Sequence, residues 1–456
     1  MTTKDPVLDK VFAHIEANKD AFLKRMMDYV SHPSISAQNI GIREVAQMLL
    51  AHLQGLGMQA ELIESTGHPF VYGRLTVDPA KPTVLLYGHY DVQPPEPLEL
   101  WDSLPFEPTI RDGRVYARGV GDNKGQHFAQ LLAIESHLAV TGELPCNIIF
   151  LLEGEEEVGS PHIADFVRQN GDRLQADLVV TSDGPLHESG APVITFGVRG
   201  VASFELRARG ASRDVHSGNF GGVVPNPIWK LVHLLATMKN PDGQITIEGI
   251  EEPVIPATNQ EREAVSKLPL DIAEIKADLG LTDFDEPRSR DYFDRLMFHP
   301  TLTINGFHGG YEGQGTKTVL PNEAFVKCDI RLVEPLMPDY VFDKVAAHVA
   351  KYAPDVEFVP QNGMLPSKTP LDSPFAPVLA DAVMAARGVA PLLYPTVGGS
   401  LPDYVFTKIL GLPAFVIPYA NADEANHAPN ENLEIECFFN GIRCGAALLS
   451  KLGSSR

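Results

Sequence analysis

Short apolar runs alternate with helical segments along much of this chain, and that alternation restricts the fold more than any other feature. The apolar runs are bounded by turn residues and lie at 83–87, 147–152, 177–181 and 414–417. Helical periodicity predicts helices at 7–30, 41–56 and 126–140. Apolar strands separated by helices are typical of a parallel sheet with both faces covered. We therefore predict an α/β domain with a mixed, mostly parallel sheet covered by helices.

From about Gly200 the strands change character and alternate between apolar and polar residues. Ala202–Arg209 and Ala324–Leu332 both show this period of two, and Asn226–Lys239 between them has the spacing of an amphipathic helix. The α/β pattern resumes near Pro374. A chain of 456 residues is long for one domain. We predict a main domain of 1–199 and 373–456, interrupted by a smaller inserted α+β domain of 200–372.

The charge and the apolar runs exclude several classes of partner. The net charge of −22 argues against a nucleic acid or an anionic membrane surface, since both need basic protein surface. No uncharged apolar run approaches the roughly 20 residues that span a bilayer, and residues 1–20 lack the apolar core of a signal peptide. The four cysteines are scattered, as is typical of reduced thiols. We therefore expect a cytoplasmic protein.

Histidines and acids follow the apolar runs at the points where strands would end. The candidates are His89 and Asp91, Glu155 to Glu157, Asp183, His427 and, in a glycine-rich turn before a helix, Asp122. In an open α/β sheet, ligands gather beyond the carboxyl ends of the strands. We therefore expect these loops to meet at one sheet edge.

Each of these residues alone is commoner as a solvated histidine, a surface acid or a helix cap. Together they would place several carboxylates side by side, and like charges at close range oppose ionisation. Two divalent ions would remove that conflict, and histidine and carboxylate ligands without a thiolate suit zinc, manganese or cobalt. Asp91 shares a face with His89 on an extended segment and could orient the imidazole; alternatively it is only a turn residue before Gln93.

Longer motifs around these residues carry a resemblance to a known family. The motifs are Gly88–Pro94, Trp101–Ser103 with Pro105 and Phe106, Arg118–Gly125, Glu156–Ser160 and Asn426–Glu431. Almost end to end, the chain resembles the two-zinc metallopeptidases that include aminoacylases, glutamate carboxypeptidases, succinyl-diaminopimelate desuccinylases and carnosinases (peptidase family M-twenty). It is most similar to the carnosinase-like dipeptidase branch.

The resemblance implies a metal centre with assigned ligands. His89 and Asp183 would hold one ion, Glu157 and His427 the other, and Asp122 would bridge both. Zinc is favoured, with manganese and cobalt as alternatives. Glu156 would be the general base and Asp91 the partner of His89, which leaves Glu155 as a bystander among three consecutive glutamates. The Asp122–Asn123 peptide bond is expected to be cis.

The resemblance also implies residues that handle the substrate. His216, in the inserted domain, would reach the site of the partner subunit and stabilise the oxyanion, so that a homodimer is expected. Arg331 would bind the free carboxylate of the substrate, together with the loop containing Gly399 and Ser400. The plainer alternatives are an exposed histidine, a surface-strand arginine and an ordinary turn.

These implications predict a metal-dependent hydrolase for dipeptides or short peptides with a free C-terminal carboxylate. The residues 1–199 and 373–456 would then form the di-metal catalytic domain, and 200–372 the lid and dimerisation domain. The Asp91–Pro94 continuation and the long insert at 241–300 favour dipeptides. The alternative is a deacylase of N-acyl amino acids with the same chemistry. A non-catalytic binding protein is less favoured, because it would be expected to lack Glu156 or a ligand, and none is missing.

Overall fold

Helices and strands alternate along the described residues, which are 5–282 and 292–454 of the computed structural model. The strands are β1 Gln59–Ile63, β2 Phe70–Leu75, β3 Thr83–His89, β4 Thr109–Arg111, β5 Arg114–Tyr116, β6 Asn147–Glu153, β7 Leu178–Thr181, β8 Val193–Thr195, β9 Gly197–Val198, β10 Gly200–Arg209, β11 Val215–His216, β12 Thr301–Gly309, β13 Val319–Leu320, β14 Glu323–Leu332, β15 Glu357–Met364, β16 Ser367–Lys368, β17 Leu392–Tyr394, β18 Ala414–Val416 and β19 Asn432–Glu434. The helices are α1 Pro6–Ala17, α2 Lys19–Val30, α3 Ile42–Gly55, α4 Lys124–Thr141, α5 Ile163–Asn170, α6 Ser217–Phe220, α7 Pro227–Met238, α8 Asn259–Ser266, α9 Ile272–Asp278, α10 Tyr292–Phe298, α11 Pro338–Tyr352, α12 Ala376–Arg387 and α13 Ile435–Ser454. None of the described helices is both long and apolar enough to cross a bilayer.

The main sheet contains the strands in the order β1-β2-β6-β3-β7-β18-β8-β17. The central strands β6, β3, β7 and β18 run parallel to one another. The neighbours on either side, β2 and β8, pair with them in the antiparallel sense. The predicted mixed, mostly parallel sheet is confirmed, and the carboxyl ends of its central strands lie along one edge.

Both faces of the main sheet are covered, which explains why its strands read as continuous apolar runs. In β3, Val84 and Leu86 belong to the core formed with α4, α12 and α13, whereas Leu85 and Tyr87 belong to a second core formed with α5. Every residue of β6 is buried. Successive side chains of a strand point to opposite faces, so a strand covered on both sides has no polar alternation.

The insert sheet contains β12-β14-β10-β15, with every neighbouring pair antiparallel. Among the described residues, α7 and α11 pack on its apolar face, and this accounts for the alternating pattern of β10 and β14. The predicted strands and helix are confirmed here. The division at 199/200 and 372/373 stays a prediction, and residues 283–291 of the long insert lie outside the described residues.

The helix predicted at 7–30 is two helices that meet at Asn18. The Asn18 side chain donates to the backbone oxygen of His14 at 2.8 Å, while the backbone oxygen of Asn18 accepts from Phe22 at the start of α2. Asparagine competes for backbone partners in this way, and it therefore favours helix ends. Because the apolar spacing continues across the break, periodicity alone could not reveal it.

An ion pair between α2 and α4 makes the stability of the main domain depend on pH. Arg25 donates to both carboxylate oxygens of Glu135, at 2.7 and 2.8 Å. Burial raises the pKa of Glu135, but hydrogen bonds from His52 and Arg25 outweigh it and lower this pKa to about 2. The resulting stabilisation is present above the ordinary pKa of 4.5 and is lost as the pH falls toward 2.

We therefore expect Glu135→Gln to lower the urea midpoint of unfolding at pH 6, and to lower it less at pH 4. The reason is that protons bind Glu135 in the unfolded wild-type chain before they bind it in the folded one. Urea unfolding of both proteins at the two pH values measures the effect. An equal difference at pH 6 and pH 4 would contradict a role for the ionised carboxylate.

Candidate metal centre

The candidate ligands lie on loops at the edge of the main sheet where its parallel strands end. His89 is the last residue of β3, Glu157 lies in the turn after β6, and Asp183 closely follows β7. Asp122 immediately precedes Asn123, the N-cap of α4, and His427 follows β18. The predicted convergence of these loops at one edge is therefore observed.

Two groups of ligand atoms meet at Asp122. In the first, Nε2 of His89 lies 3.1 Å from Oδ1 of Asp122 and 3.5 Å from Oδ2 of Asp183. In the second, Nε2 of His427 lies 3.0 Å from Oδ2 of Asp122 and 3.1 Å from Oε2 of Glu157. The ligand atoms of each group lie within 4.8 Å of one another. Asp122 thus offers one carboxylate oxygen to each group, as a bridging ligand must.

The electrostatics of the two groups call for additional positive charge. Burial opposes ionisation of Asp122, yet hydrogen bonds from His427 and His89 hold its pKa well below the ordinary value. Hydrogen bonds to Asp122 and Glu157 raise the pKa of His427 to about 11. Divalent ions held beside these carboxylates would supply that positive charge. One imidazole nitrogen and two carboxylate oxygens per group are a donor set that fits such ions.

Glu156 lies beside these groups and lines the same cavity as Asp122, Asp183 and His427. Burial, with the nearby charges of Asp183 and Glu157, raises the pKa of Glu156 well above its ordinary value, although His89 opposes the shift. A carboxyl group with a raised pKa can both accept and return a proton near neutral pH. The arrangement therefore places the carboxyl group of Glu156 beside the two groups of candidate ligands.

Asp91 contacts both His89 and the turn that contains Glu156 and Glu157. Its Oδ1 lies 3.4 Å from Nδ1 of His89, and its backbone oxygen lies closer to the same nitrogen, at 3.1 Å. Its two oxygens also accept from the backbone nitrogens of Glu156 and Glu157, at 3.2 and 3.1 Å. The second pair of contacts was not predicted from the sequence. Asp91 thus fixes the turn that carries Glu156 relative to His89.

Glu431 is a residue of the centre that sequence reasoning missed. Its Oε1 accepts from the backbone nitrogens of Gly121 and Asp122, each at 3.0 Å. Its Oε2 accepts from Gly119 at 2.9 Å and from the Arg118 guanidinium at 2.6 Å. Both charged side chains are buried. Glu431 therefore holds the turn that presents Asp122, and its place in the Asn426–Glu431 motif was the only available signal.

Asn123 and Gln93 also contact the candidate ligands, and sequence reasoning did not assign them this role. Asn123 accepts from the backbone nitrogen of His89 at 3.3 Å and donates to the backbone of Ser182, next to Asp183. Gln93 donates to Glu157 through both its backbone nitrogen and its side chain. Both residues lie within motifs that were recognised without a role for them. The Asp122–Asn123 bond is cis, as expected.

Glu155, which the sequence predicts to be a bystander, is buried. Its carboxylate accepts from Nδ1 of His162 at 2.7 Å. A Cβ at Gly67 would lie about 2.1 Å from the same carboxylate, so Glu155 is directed toward that loop. It does not line the cavity that contains Glu156.

The predicted substrate-handling residues divide into two sets. Arg331 donates to Oγ of Ser400 at 2.8 Å, and Ser400 and Gly399 line the cavity of the metal groups. Arg199, which was missed, donates to the backbone oxygen of Gly398 in the same loop at 3.0 Å. His216 is exposed and does not line this cavity; its Nδ1 accepts from Gly218. Within one protomer, His216 is therefore separate from the centre.

Comparisons with known proteins show which family the chain resembles. Residues 85–451 match the model of peptidase family M20/M25/M40. The Cys-Gly metallodipeptidase dug1 of Schizosaccharomyces pombe is 31% identical, with 98% of each chain covered, and the Beta-Ala-His dipeptidase of Homo sapiens is 29% identical, covering 98% of this chain and 93% of that protein. An M20 family metallo-carboxypeptidase structure from Sulfolobus solfataricus matches with a TM-score of 0.89 at 34% identity, covering 95% of this chain and 99% of that one. Human carnosine dipeptidase 1 matches with a TM-score of 0.83 at 28% identity, covering 98% and 100%. The chain belongs to peptidase family M20/M25/M40.

Proposed function

We propose that this protein is a metallodipeptidase that hydrolyses dipeptides or short peptides with a free C-terminal carboxylate. The observation that carries the proposal is the pair of ligand groups sharing Asp122, with Glu156 beside them in one cavity. The Cys-Gly and Beta-Ala-His dipeptidases, which match along 98% of this chain, support a dipeptide substrate.

In this proposal His89 and Asp183 would hold one metal ion, Glu157 and His427 would hold the other, and Asp122 would contribute to both. Zinc is the favoured metal because each group combines imidazole and carboxylate without thiolate, with manganese and cobalt as alternatives. Bound ions of this kind supply Lewis acidity, which polarises the peptide carbonyl and lowers the pKa of water. His427 is exposed toward the cavity, consistent with a centre that leaves room for a substrate.

Side chains of the protein transfer the proton, bind the substrate carboxylate and stabilise the oxyanion. Glu156 accepts a proton from the attacking water and returns it to the leaving amine, and Asp91 holds the Glu156 turn in place for both transfers. Arg331 binds the substrate carboxylate, with Gly399 and Ser400 at its side, because a guanidinium matches the geometry of a carboxylate. His216 of a second subunit donates to the oxyanion that develops at the carbonyl.

The proposed homodimer is supported by the position of β12, which is an edge strand of the insert sheet among the described strands. β12 pairs with β14 on one side and lies at the end of the strand order. Ile304 and Phe307 on β12 are 51% and 38% exposed, and Trp229 on α7 is 60% exposed. An exposed apolar strand edge is a ready site for pairing with another chain. A second copy covering it would also bring a His216 from outside the protomer.

The cytoplasm is the proposed compartment. Cys146, Cys328, Cys437 and Cys444 are all unpaired and buried. Burial raises the pKa of each of these thiols to about 12. Such cysteines are small apolar core residues, and they need no oxidising environment.

The test of the proposed function is a metal-resolved hydrolysis assay. Protein stripped with a chelator receives zinc, manganese or cobalt and is offered a dipeptide panel and matched N-acetyl amino acids. We expect dipeptide cleavage that disappears on stripping and returns with metal. Cleavage confined to the acetylated amino acids would make the protein a deacylase. Metal binding without cleavage of either panel would overturn the enzymatic proposal.

The position of His216 predicts complementation between subunits. We expect His216→Ala and Glu156→Ala homodimers each to be nearly inactive, because each would lack one group at both sites. A mixed dimer has one site with both groups intact, since the intact His216 comes from the Glu156→Ala chain. Mixing the two variants under conditions of subunit exchange should restore up to about half of the wild-type activity per heterodimer. No recovery, with exchange verified by differently tagged chains, would exclude action across the interface.

A further inference from the structure

A single residue, Arg199, binds two consecutive carbonyl groups of the loop Gly398–Ser400. Arg199 immediately precedes β10 of the insert sheet. Its backbone nitrogen donates to the backbone oxygen of Gly399 at 3.0 Å, and Nε of its side chain donates to that of Gly398, also at 3.0 Å. Its guanidinium also donates to Oγ1 of Thr301, the first residue of β12, at 3.4 Å. Arg199 therefore connects this loop to the insert sheet.

The two carbonyl contacts determine the direction of the N–H groups that follow them. The peptide bonds of the loop are trans, and in a trans peptide the carbonyl oxygen and the next N–H point in opposite directions. The N–H groups of Gly399 and Ser400 are therefore directed away from the donors of Arg199. Within the described part of the chain, neither of them donates to a protein acceptor. Both residues line the cavity that contains Glu156.

Arg331 and the Ser400 side chain add further donors to this loop. Arg331 comes from β14 and donates to Oγ of Ser400 at 2.8 Å. A hydroxyl that accepts this hydrogen bond still has its own proton to donate, and a guanidinium has five N–H donors. A carboxylate has two oxygens with about four lone-pair sites. The loop and Arg331 together therefore have enough donors for one carboxylate.

The charges around Arg199 also favour an anion. Arg199 is only 7% exposed. Burial and the neighbouring charge of Arg331 lower the pKa of Arg199 to about 10, while Asp329 opposes the shift, so Arg199 is still charged at neutral pH. Asp329 already accepts from Asn305 at 2.6 Å and lies 3.6 Å from Nε of Arg331. Two guanidinium groups beside one such carboxylate leave an excess of positive charge, which attracts an anion.

We propose that Arg199 is a positioning residue for the substrate carboxylate. It fixes the peptide groups of the loop Gly398–Ser400, so that this loop and Arg331 bind the C-terminal carboxylate of the peptide. The inference rests on the proposed dipeptidase function and adds a residue that does not itself line the cavity. Without the side chain of Arg199 the loop would have to be ordered by the substrate, and ordering a loop on binding reduces affinity.

The test compares a dipeptide with its C-terminal amide in Arg199→Met, using the metal-loaded protein. Methionine is also a long, unbranched side chain, but it has no charge and no N–H donor. Losing a hydrogen bond of a charged group typically weakens binding by roughly tenfold or more. We expect the KM of the dipeptide to rise about tenfold with little change in kcat, as for lost substrate binding. The ratio of kcat/KM for the dipeptide over the amide should fall by the same factor, whereas a general loss of structure would affect both substrates alike.

The matched control is Arg207→Met. Arg207 lies on β10, donates to Glu205, is exposed and does not line the cavity. We expect this variant to keep the wild-type KM and the wild-type ratio of dipeptide over amide. An unchanged ratio in Arg199→Met, or an equal fall in both variants, would overturn the role of Arg199 while leaving dipeptide hydrolysis intact.

A second variant covers the case in which Arg199→Met does not fold. Arg199→Lys keeps the charge but lacks the planar fork of donors, so a smaller fall in the same ratio is expected, and a wild-type ratio would overturn the role. If the amide is cleaved too slowly to measure, its inhibition constant against the dipeptide replaces kcat/KM. Equal use of dipeptide and amide by the wild-type protein would exclude the carboxylate site and with it the role of Arg199. If no dipeptide were cleaved, the proposed function would fall as well.

Discussion

Glu156→Gln is expected to lower kcat for dipeptide hydrolysis by about 10²–10⁴-fold, the usual contribution of a general base. The amide keeps the size of the side chain, and the backbone contacts of the turn to Asp91 do not involve the Glu156 side chain. The loss should therefore appear in kcat with little change in KM, as expected when an interaction of the transition state is removed. Steady-state kinetics on the best dipeptide substrate measures it.

The neighbouring glutamate provides the control. Glu155→Gln also removes one negative charge, at the neighbouring position. Its side chain faces His162 rather than the cavity. We expect this variant to retain most of the wild-type kcat. Metal content should stay at the wild-type level in both proteins, because neither side chain belongs to the ligand groups. A greater loss in Glu155→Gln than in Glu156→Gln would reverse the assignment of the general base.

Glu431→Ala is expected to cause the largest loss of stability of any single change considered. It leaves the Arg118 guanidinium buried without its partner and removes the acceptor of three backbone nitrogens in the turn before α4. Breaking a buried ion pair from one side typically costs about 3–5 kcal/mol. We expect a lower urea midpoint and weaker metal binding, because the same turn carries Asp122. Urea unfolding of the metal-free protein and metal titration measure the two effects separately.

An exposed ion pair serves as the comparison for this prediction. Glu64 accepts from both outer nitrogens of Arg43 at 2.8 Å, but both side chains are more than half exposed. Solvent screens such pairs, so Glu64→Gln should leave the urea midpoint and the metal affinity nearly unchanged. If Glu431→Ala were as mild as Glu64→Gln, water would have to replace the lost carboxylate at the turn.

Much of the fold could be predicted because burial determines the sequence pattern of a strand. A strand buried on both faces is apolar throughout, and a strand buried on one face alternates between apolar and polar residues. The continuous apolar run of β6 and the alternation of β14 follow directly from those two environments. The break at Asn18 was missed, because it depends on one side chain that competes for a backbone partner rather than on any pattern.

The candidate centre was predictable only for residues at the ends of strands or inside recognisable motifs. His89 and Asp183 follow apolar runs, so topology alone brings them together. Glu431 and Asn123 could not be assigned roles from the sequence. Both side chains contact the backbone of distant segments, and such contacts produce no periodic pattern in the sequence. The contact between the rings of Phe293 and Tyr394 was equally hidden, since it joins two segments that are distant in the sequence.

The order in which the candidate ligands are synthesised has a consequence for how the enzyme matures. His89, Asp122 and Asp183 all come from the first half of the chain, whereas His427 and Glu431 follow much later. Strand β18, which lies between β7 and β8 in the main sheet, also belongs to the late segment. On the ribosome, the early residues can approach one another while the turn before α4 still lacks its carboxylate anchor. If the proposed ligand set is occupied by two ions, stable loading is expected only after the segment containing His427 has emerged. A partly translated chain would then have no activity toward the peptides around it.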